Sequence, residues 1–271
     1  MITEIHINTM EELLPLFMDQ QYRPDLDRSR SLYVYRGLNH TSYSMVTSLA
    51  RNCKHLQHQL EPSILRNFAK YAVIEDPTVA GSVWNQMILG RHHGLPTRLL
   101  DWSHSALVAL HFAVTEENMD KMQENDCLVW RADMKELHSL LPEPYQKVIE
   151  RYGTDVFSVE MLDEVAGSLD RYDRDMSNTS MVFIEPPSID ARIVNQYSFF
   201  SIVPAGMEDV ESFLDKYTHD TIKYIIDKNL RWRIRDMLDE LNISERIIYP
   251  GLDGLSKWIT RHYYVNKEDN Q

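Results

Sequence analysis

The chain has 271 residues and carries 28 lysines and arginines against 41 aspartates and glutamates, which gives a formal net charge of −13. Hydrophobic residues make up 43% of it, close to the share found in globular proteins, so the composition excludes wholesale disorder. The acidic balance also argues against general nucleic-acid binding, because neutralising phosphates requires an excess of lysine and arginine.

Cysteine usage and hydropathy indicate a cytoplasmic protein. Cys53 and Cys127 stand far apart and match no zinc-binding spacing, so we expect two reduced thiols and no metal. The segment from Met1 to His6 has an early acid and no apolar stretch, so we expect no signal peptide. The longest apolar stretch, Ser105 to Val114, is too short to span a bilayer, and we expect no membrane partner.

In chain order, the first predicted element is a helix over residues 10–20, which Thr9 and Glu12 would start as a capping box. A strand at 32–35 and a helix through 64–74 follow. The next helix is predicted over 83–92 and is ended by Gly94 and Pro96. A short strand at 97–102 then leads into a helix over about 106–114, capped by Ser103 or Ser105.

The second half of the chain mixes strands with helices. Strands are predicted at 127–130, 181–184 and 222–226, and a longer strand or hairpin at 192–203. Helices are predicted within 134–177, over 230–241 and around 255–259. This order predicts an α+β fold in a single domain, with a mixed, mainly antiparallel sheet and flanking helices.

The first motif with chemical content is Tyr35-Arg36-Gly37 at the end of the predicted strand. An arginine there can present its fork of donors to phosphate or carboxylate oxygens. The glycine that follows lets a ligand or another backbone come close. The alternative is an ordinary surface arginine before a turn.

The second motif runs from His92 through Trp102 to Ala113 and begins HHGLPTRLLDWS. Thr97, Arg98 and Asp101 are polar groups in an apolar setting, where burial is costly without partners. They therefore predict either a binding site or a structural pair between Arg98 and Asp101. The histidines of this region, His92, His93, His104 and His111, lack supporting acids or cysteines at metal-binding spacing, and we predict no metal site.

The third motif is RIVNQYSFFS, from Arg192 to Ser201. If it is a strand, alternation points Arg192, Val194, Gln196 and Ser198 to one face. A polar amide among apolar neighbours suggests a site, and the alternative is a strand with one solvated face.

Together these stretches resemble the FRG domain, which is named for its Phe/Tyr-Arg-Gly motif. The longest match is HHGLPTRLLDWSHSALVALHFAV, and IYPGLDGLSKWI near 248–259 resembles the family's C-terminal part. The resemblance covers about residues 30–260 and implies three parts: an N-terminal helix and loop at 1–30, the FRG domain at 31–260 and a tail at 261–271. FRG proteins are bacterial and phage-associated, and several are linked to toxin or defence contexts.

The layout also resembles divergent ADP-ribosyltransferases, and this resemblance implies NAD as a substrate. Arg36 and Gly37 would bind its phosphates, and Thr97, Arg98, Trp102 and Ser103 would complete the NAD site, with Thr97 and Ser103 positioning the ribose or nicotinamide. Gln196 would hold the ribose where those enzymes carry a glutamate, and Asp101 or His93 would act as the acid or base. The glutamine is a departure, because an amide supplies no charge to stabilise an oxocarbenium ion.

The resulting hypothesis is an NAD-binding, ADP-ribosyltransferase-like enzyme that acts on an unknown macromolecular acceptor, as a toxin or phage-defence effector. The first alternative is a non-catalytic ligand-sensing or protein-interaction module that keeps the fold without the acid. The second is a nuclease in which His92, His93 and Arg98 serve as acid, base and phosphate clamp, a pairing that histidine supports near neutral pH.

Overall fold

A computed structural model describes residues 1–265 and is built on one large sheet and one small ribbon. The large sheet has seven strands in the order β1-β9-β6-β4-β5-β8-β7, and β2 and β3 form the ribbon. The strands are β1 (Thr3–Ile7), β2 (Tyr22–Arg23), β3 (Arg28–Ser29), β4 (Tyr33–Leu38), β5 (Leu99–Ser103), β6 (Cys127–Asp133), β7 (Val182–Ile184), β8 (Ser198–Ile202) and β9 (Ile222–Ile226).

Fourteen α-helices of the described residues surround the sheet. They are α1 (Leu14–Met18), α2 (Ser48–Cys53), α3 (Gln57–Ala72), α4 (Val83–His92), α5 (Ala106–Val114), α6 (Met134–Ser139), α7 (Glu143–Tyr152), α8 (Val159–Val165), α9 (Leu169–Met176), α10 (Ala191–Asn195), α11 (Val210–Tyr217), α12 (Arg231–Glu240), α13 (Glu245–Ile248) and α14 (Leu252–His262). Every pair of neighbouring strands in the large sheet is antiparallel except β1 and β9. The predicted α+β fold with a mixed, mainly antiparallel sheet is therefore confirmed.

Two groups of helices cover one face of the sheet and leave a gap between them. Helices α1, α5 and α12 pack over β1, β9, β6 and β4. Helices α3, α4, α7, α8 and α9 pack over β5, β8 and β7. The opposite face is covered mainly by α6 and α11. The boundary between the first two groups falls at β4, which carries the first motif, and β5, which carries part of the second.

Local signals in the sequence account for several elements. Helix α4 has the predicted bounds: Ser82 caps its first turn, and Gly94 just beyond it adopts a φ of 84° that favours glycine. Helix α5 begins where Ser105 accepts a hydrogen bond from the Val108 N–H. Near the N-terminus Glu12 accepts from the backbone N–H of Asn8 and Thr9, and the predicted helix is a 3-10 turn followed by α1.

The prediction of a longer strand or hairpin at 192–203 was wrong in its first half. Residues 191–195 form α10, which Asp190 caps by accepting from the Ile193 N–H, and β8 begins only at Ser198. Tyr197 lies between the two elements with a φ of 47°. Strand alternation therefore does not set which way Arg192, Val194 and Gln196 point.

The first residues belong to the sheet rather than to a separate helix and loop. Strand β1 pairs in parallel with β9, from Thr3 opposite Ile222 to Ile7 opposite Ile226. The segment was missed because its side chains are mostly polar or exposed, as in an edge strand. At the other end, the predicted tail from 261 begins inside α14, and its residues 266–271 lie outside the described part of the chain.

Cys53 and Cys127 are both free and buried. Burial raises the pKa of the Cys127 thiol to about 12, which keeps it protonated and unreactive. Within residues 1–265, no helix combines the length and the apolar character needed to cross a membrane.

His138 makes the stability of the fold depend on pH. Its Nδ1 lies 3.1 Å from the Asp155 carbonyl and its Nε2 accepts from the Phe183 N–H at 3.2 Å, which is the arrangement of a neutral ring. Burial lowers the pKa of His138 to about 4. The unfolded chain then binds the extra proton first, so acidification from pH 6.5 to 4 should remove roughly 2–3 kcal/mol of unfolding free energy.

Urea denaturation of the wild type and of His138→Gln across this pH range tests the assignment. The substitution should flatten the pH dependence, since glutamine does not titrate. Equal slopes for the two proteins between pH 6.5 and 4 would contradict it.

Candidate active site

A cleft of about 660 Å³ opens where β4 and β5 separate. The two strands are paired at one position, Tyr35 opposite Ser103, and they diverge beyond it. The residues that follow on β4 form one wall, and Asp101 and Trp102 of β5 form the facing wall. The first two sequence motifs therefore meet at the cleft because their strands are neighbours in the sheet.

Arg36 spans the gap between the strands. Its Nη1 donates to the main-chain carbonyl of Asp101 at 2.5 Å and lies 3.7 Å from the Asp101 carboxylate. Its Nε is buried and has no hydrogen-bond partner among the described residues. Burial lowers the pKa of Arg36, with Asp101 opposing the shift and the nearby arginines adding to it. A guanidinium at the wall of a cleft is a candidate for binding an anionic ligand.

Asp101 is held by Arg91, the next-to-last residue of α4. The two side chains form a fork-to-fork pair in which Arg91 Nε donates to Asp101 Oδ1 at 2.9 Å and Nη2 donates to Oδ2. Burial alone would raise the pKa of Asp101, but the hydrogen bond and charge of Arg91 outweigh it and lower that pKa. The carboxylate is therefore ionised at neutral pH, and its charge is largely neutralised by its partner.

Gln196 reaches the cleft from the end of α10. Its Nε2 donates to the Ile248 carbonyl at 3.1 Å, and its own main-chain carbonyl accepts from the Ser103 hydroxyl at 2.7 Å. The C-terminal motif near 248–259 therefore helps to position the amide. Arg36, Asp101 and Gln196, which are remote in sequence, line one cleft as their motifs predicted.

His92 and His93 lie at the border of the cleft, with their rings edge to face and 5.1 Å apart. His92 Nε2 contacts the Asp190 carboxylate. Burial lowers the pKa of His92, and Asp190 opposes this shift. His93 is exposed to solvent, so of the two rings it is the one free to meet a second substrate.

The cleft is cationic although the whole chain is acidic. Among residues 1–265, Arg36, Arg91 and Arg192 line it together with a single carboxylate, that of Asp101. The guanidinium of Arg192 rests over the ring of Tyr249, 5.2 Å from its centroid, and remains exposed. A local excess of arginine inside a cleft concentrates anionic ligands irrespective of net charge.

Thr97 and Arg98 lie away from the cleft, contrary to the prediction that they bind a ligand there. Thr97 is buried and exchanges hydrogen bonds with Ser48 at the start of α2. Arg98 forms a buried ion pair with Glu61 of α3 and a second one with Asp173 of α9. The suggested pair of Arg98 with Asp101 was therefore also wrong, since each has another partner.

The other predicted binding residues have structural contacts of their own. Trp102 lines the cleft but is buried, and its Nε1 donates to the Ser201 hydroxyl at 3.0 Å. Ser103 is buried and holds Gln196 instead of facing the cleft. Gly37 also lines the cleft, and a Cβ there would lie 1.9 Å from the Ala109 carbonyl of α5. Glycine is therefore required at this position because the backbone of α5 leaves no room for a side chain.

The structure does not bring together the three residues of the nuclease alternative. His92 and His93 border the cleft, whereas Arg98 is tied to Glu61 and Asp173 and borders a different cavity. Residues 1–265 also contain no group of three or more His, Cys, Asp or Glu side chains placed to bind one metal ion.

The sequence predictions assigned no binding role to Arg91 or Arg192. Arg91 directly precedes the second motif and sits in the last turn of α4, and that position was the available signal. Arg192 was assigned to a strand face, so its place on α10 beside Tyr249 was not foreseen.

The comparisons with known proteins identify one region of the chain. The family model described as the FRG domain matches residues 31–122. This range contains Arg36, Asp101 and the whole second motif, whereas the stretches at 192–201 and 248–259 lie beyond it. No curated protein and no solved structure matches the chain significantly. The chain therefore contains an FRG domain over residues 31–122.

Proposed function

We propose that the cleft binds NAD and that the protein is an ADP-ribosyltransferase-like enzyme. The observation that carries the proposal is the convergence of Arg36, Asp101 and Gln196 on one cleft that three arginines make cationic. Phosphate groups are the anions that such guanidinium clusters bind best, because the planar fork matches pairs of phosphate oxygens. The place of Arg36 at the wall of this cleft supports its role in binding an anionic ligand.

In the proposed reaction the bond between the nicotinamide nitrogen and ribose C1′ breaks, and its electron pair leaves with nicotinamide. A nucleophile of the macromolecular acceptor forms the new bond to C1′ and loses its proton, which the exposed His93 would accept. Gln196 would hold the ribose by hydrogen bonding. Asp101 would supply negative charge near the oxocarbenium-like centre, and Arg91 would remain hydrogen-bonded to the same carboxylate.

A non-catalytic ligand-binding module is the second candidate, and the Arg91–Asp101 pair favours it. Because Arg91 engages both carboxylate oxygens, Asp101 offers little unpaired charge to a transition state. Gln196 offers none. The same arginines would still bind a dinucleotide, so this candidate shares the ligand of the first and differs in turnover.

The biological setting is proposed from the family resemblance alone. A bacterial, cytoplasmic toxin or phage-defence effector would use the cleft to modify a host or phage macromolecule. The acceptor would approach the exposed side of the cleft, where His93 and Arg192 lie.

Replacing Arg36 with alanine should weaken NAD binding by roughly 1.5–3 kcal/mol, the range for a hydrogen bond to a charged group. Calorimetry measures the affinity, and thermal melting of the same sample checks that the fold survives the loss of the bond to Asp101. Arg66→Ala is the matched control, because Arg66 is an exposed arginine of α3 that does not line the cleft. NAD affinity that is unchanged by Arg36→Ala would remove the phosphate-binding role.

Nicotinamide release, measured with NAD binding alongside, decides between enzyme and binding module. For a transferase, Asp101→Asn should lower turnover with little loss of NAD affinity, because the lost interaction is stronger in the transition state. For a binding module, the wild type should bind NAD without release, and Gln196→Glu should introduce slow release. Asp170→Asn, on the exposed face of α9, is the matched control. Failure of the wild type to bind NAD would contradict both candidates.

A further inference from the structure

A second recess adjoins the cleft, and nothing in the proposed function uses it. Its volume is about 660 Å³, similar to that of the cleft. Its walls are mainly apolar and come from α3, from α4 and from the segment before α10. The apolar lining residues are Phe68, Tyr71, Ala72, Leu89 and Ile189.

Two histidine rings form the wall between the recess and the cleft. His92 and His93 line both spaces. His92 is fixed by its contact with Asp190, and His93 packs edge-on against it. The two spaces are therefore neighbours that share these two rings as a common border.

The two spaces differ in charge. The cleft has three arginines, whereas the charged groups that line the recess within residues 1–265 are the carboxylates of Glu75, Asp76 and Asp190. Asp76 caps the 3-10 turn that follows α3, and Asp190 holds His92. Such a recess repels phosphate and favours a neutral or cationic group.

The recess also exposes aromatic surface. Tyr71 is 68% exposed, and Phe68 lies one helical turn before it on α3. Lys70 places its ammonium 5.1 Å from the centroid of the Tyr71 ring. Aromatic side chains left open beside a charged groove are the usual platform on which nucleotide rings stack.

We infer that the recess holds a heteroaromatic ring of the nucleotide whose phosphates bind in the cleft, so that cleft and recess form one two-part site. The inference rests on the proposed function for its anionic half. The charges of the two spaces determine which part of the ligand each binds. The phosphates lie among the arginines of the cleft, and the flat ring lies among the apolar and acidic groups of the recess. Nicotinamide and adenine both meet this description, and the ligand series below separates them.

The test uses variants that change the recess and leave the arginines of the cleft unaltered. Ala72 ends α3 and lines the recess, so Ala72→Trp should occupy its space. Tyr71→Ser removes an exposed aromatic wall at little risk to folding. The controls are Ala80→Trp and Tyr263→Ser, which alter exposed residues outside both spaces. Calorimetry measures the binding of NAD, ADP-ribose, nicotinamide mononucleotide and inorganic diphosphate to each protein.

Both recess variants should weaken NAD binding about tenfold, as expected for the loss of one stacked ring, and leave diphosphate binding within about twofold. A parallel loss for ADP-ribose would assign adenine to the recess, and a parallel loss for nicotinamide mononucleotide would assign nicotinamide. Unchanged NAD affinity in both variants, or an equal loss for diphosphate, would overturn the inference. A wild type that binds neither NAD nor diphosphate would instead refute the proposed function itself.

Discussion

Replacing Gly37 with alanine is expected to destabilise the protein by at least about 4 kcal/mol, more than most core substitutions. The added Cβ would lie 1.9 Å from the Ala109 carbonyl oxygen and 2.6 Å from the Ala113 backbone nitrogen. Both are backbone atoms of α5, so no side-chain rotation can relieve the overlap. The helix would have to move away from β4 and open the core that it covers.

Urea denaturation of Gly37→Ala and Gly81→Ala provides the measurement and its control. A Cβ on Gly81 would meet nothing within 4 Å, so that variant should unfold within about 0.5 kcal/mol of the wild type. A Gly37→Ala protein as stable as the Gly81→Ala protein would show that the helix can yield, and Gly37 would then be needed only for ligand approach.

The Gly37 contact illustrates how far the sequence could be interpreted. A glycine after the motif arginine indicated that something comes close, either a ligand or another backbone. The choice between these depends on α5 crossing β4, and α5 lies about seventy positions further along the chain. Caps and turn residues, by contrast, act within a few positions, so the bounds of α4 could be predicted from Ser82, Gly94 and their neighbours.

The failures have the same physical origin. Residues 192–203 alternate as a strand would, but the Asp190 cap starts a helix that packs against α13, where Asn195 donates to the Ile247 carbonyl. Strand β1 forms only because β9, more than two hundred residues away, offers it an edge. Hydrophobic periodicity is a local property of the sequence and does not predict which distant segments pair.

For the candidate site, residue types were easier to predict than their partners. The motifs indicated Arg36, Asp101 and Gln196, and the sheet brings these three together. One of the two alternatives paired Asp101 with Arg98 three positions away. Arg98 lies just before β5, however, and is held by Glu61 of α3 and Asp173 of α9. Arg91, in the last turn of α4, is the partner instead.

The Arg98 network leads to the second large effect. Replacing Arg98 with methionine is expected to cost about 3–5 kcal/mol of unfolding free energy, because it leaves a buried carboxylate without its counter-charge. The side chain of Glu61 is 2% exposed and receives donors from both Nε and Nη2 of Arg98. Asp173 is less affected, since it is partly exposed and also accepts from the Ala205 N–H.

Denaturation of two further variants separates this explanation from a general loss of packing. Arg98→Met combined with Glu61→Leu should be more stable than Arg98→Met alone, because the double variant buries no unpaired charge. Arg151→Met removes the partner of Glu164 in an exposed pair and should leave the unfolding free energy close to that of the wild type. A double variant no more stable than Arg98→Met would show that lost packing, not the orphaned carboxylate, dominates the cost.

Ligand binding completes the test, since Arg98 was first expected in the NAD site. At a temperature where Arg98→Met is still folded, its NAD affinity should match that of the wild type, because Arg98 lies outside the cleft and contacts none of Arg36, Asp101 and Gln196. The opposite pattern, intact stability with weakened NAD binding, would return Arg98 to the ligand site. It would also mean that Arg98 leaves the carboxylates of Glu61 and Asp173 and binds phosphate when the ligand binds.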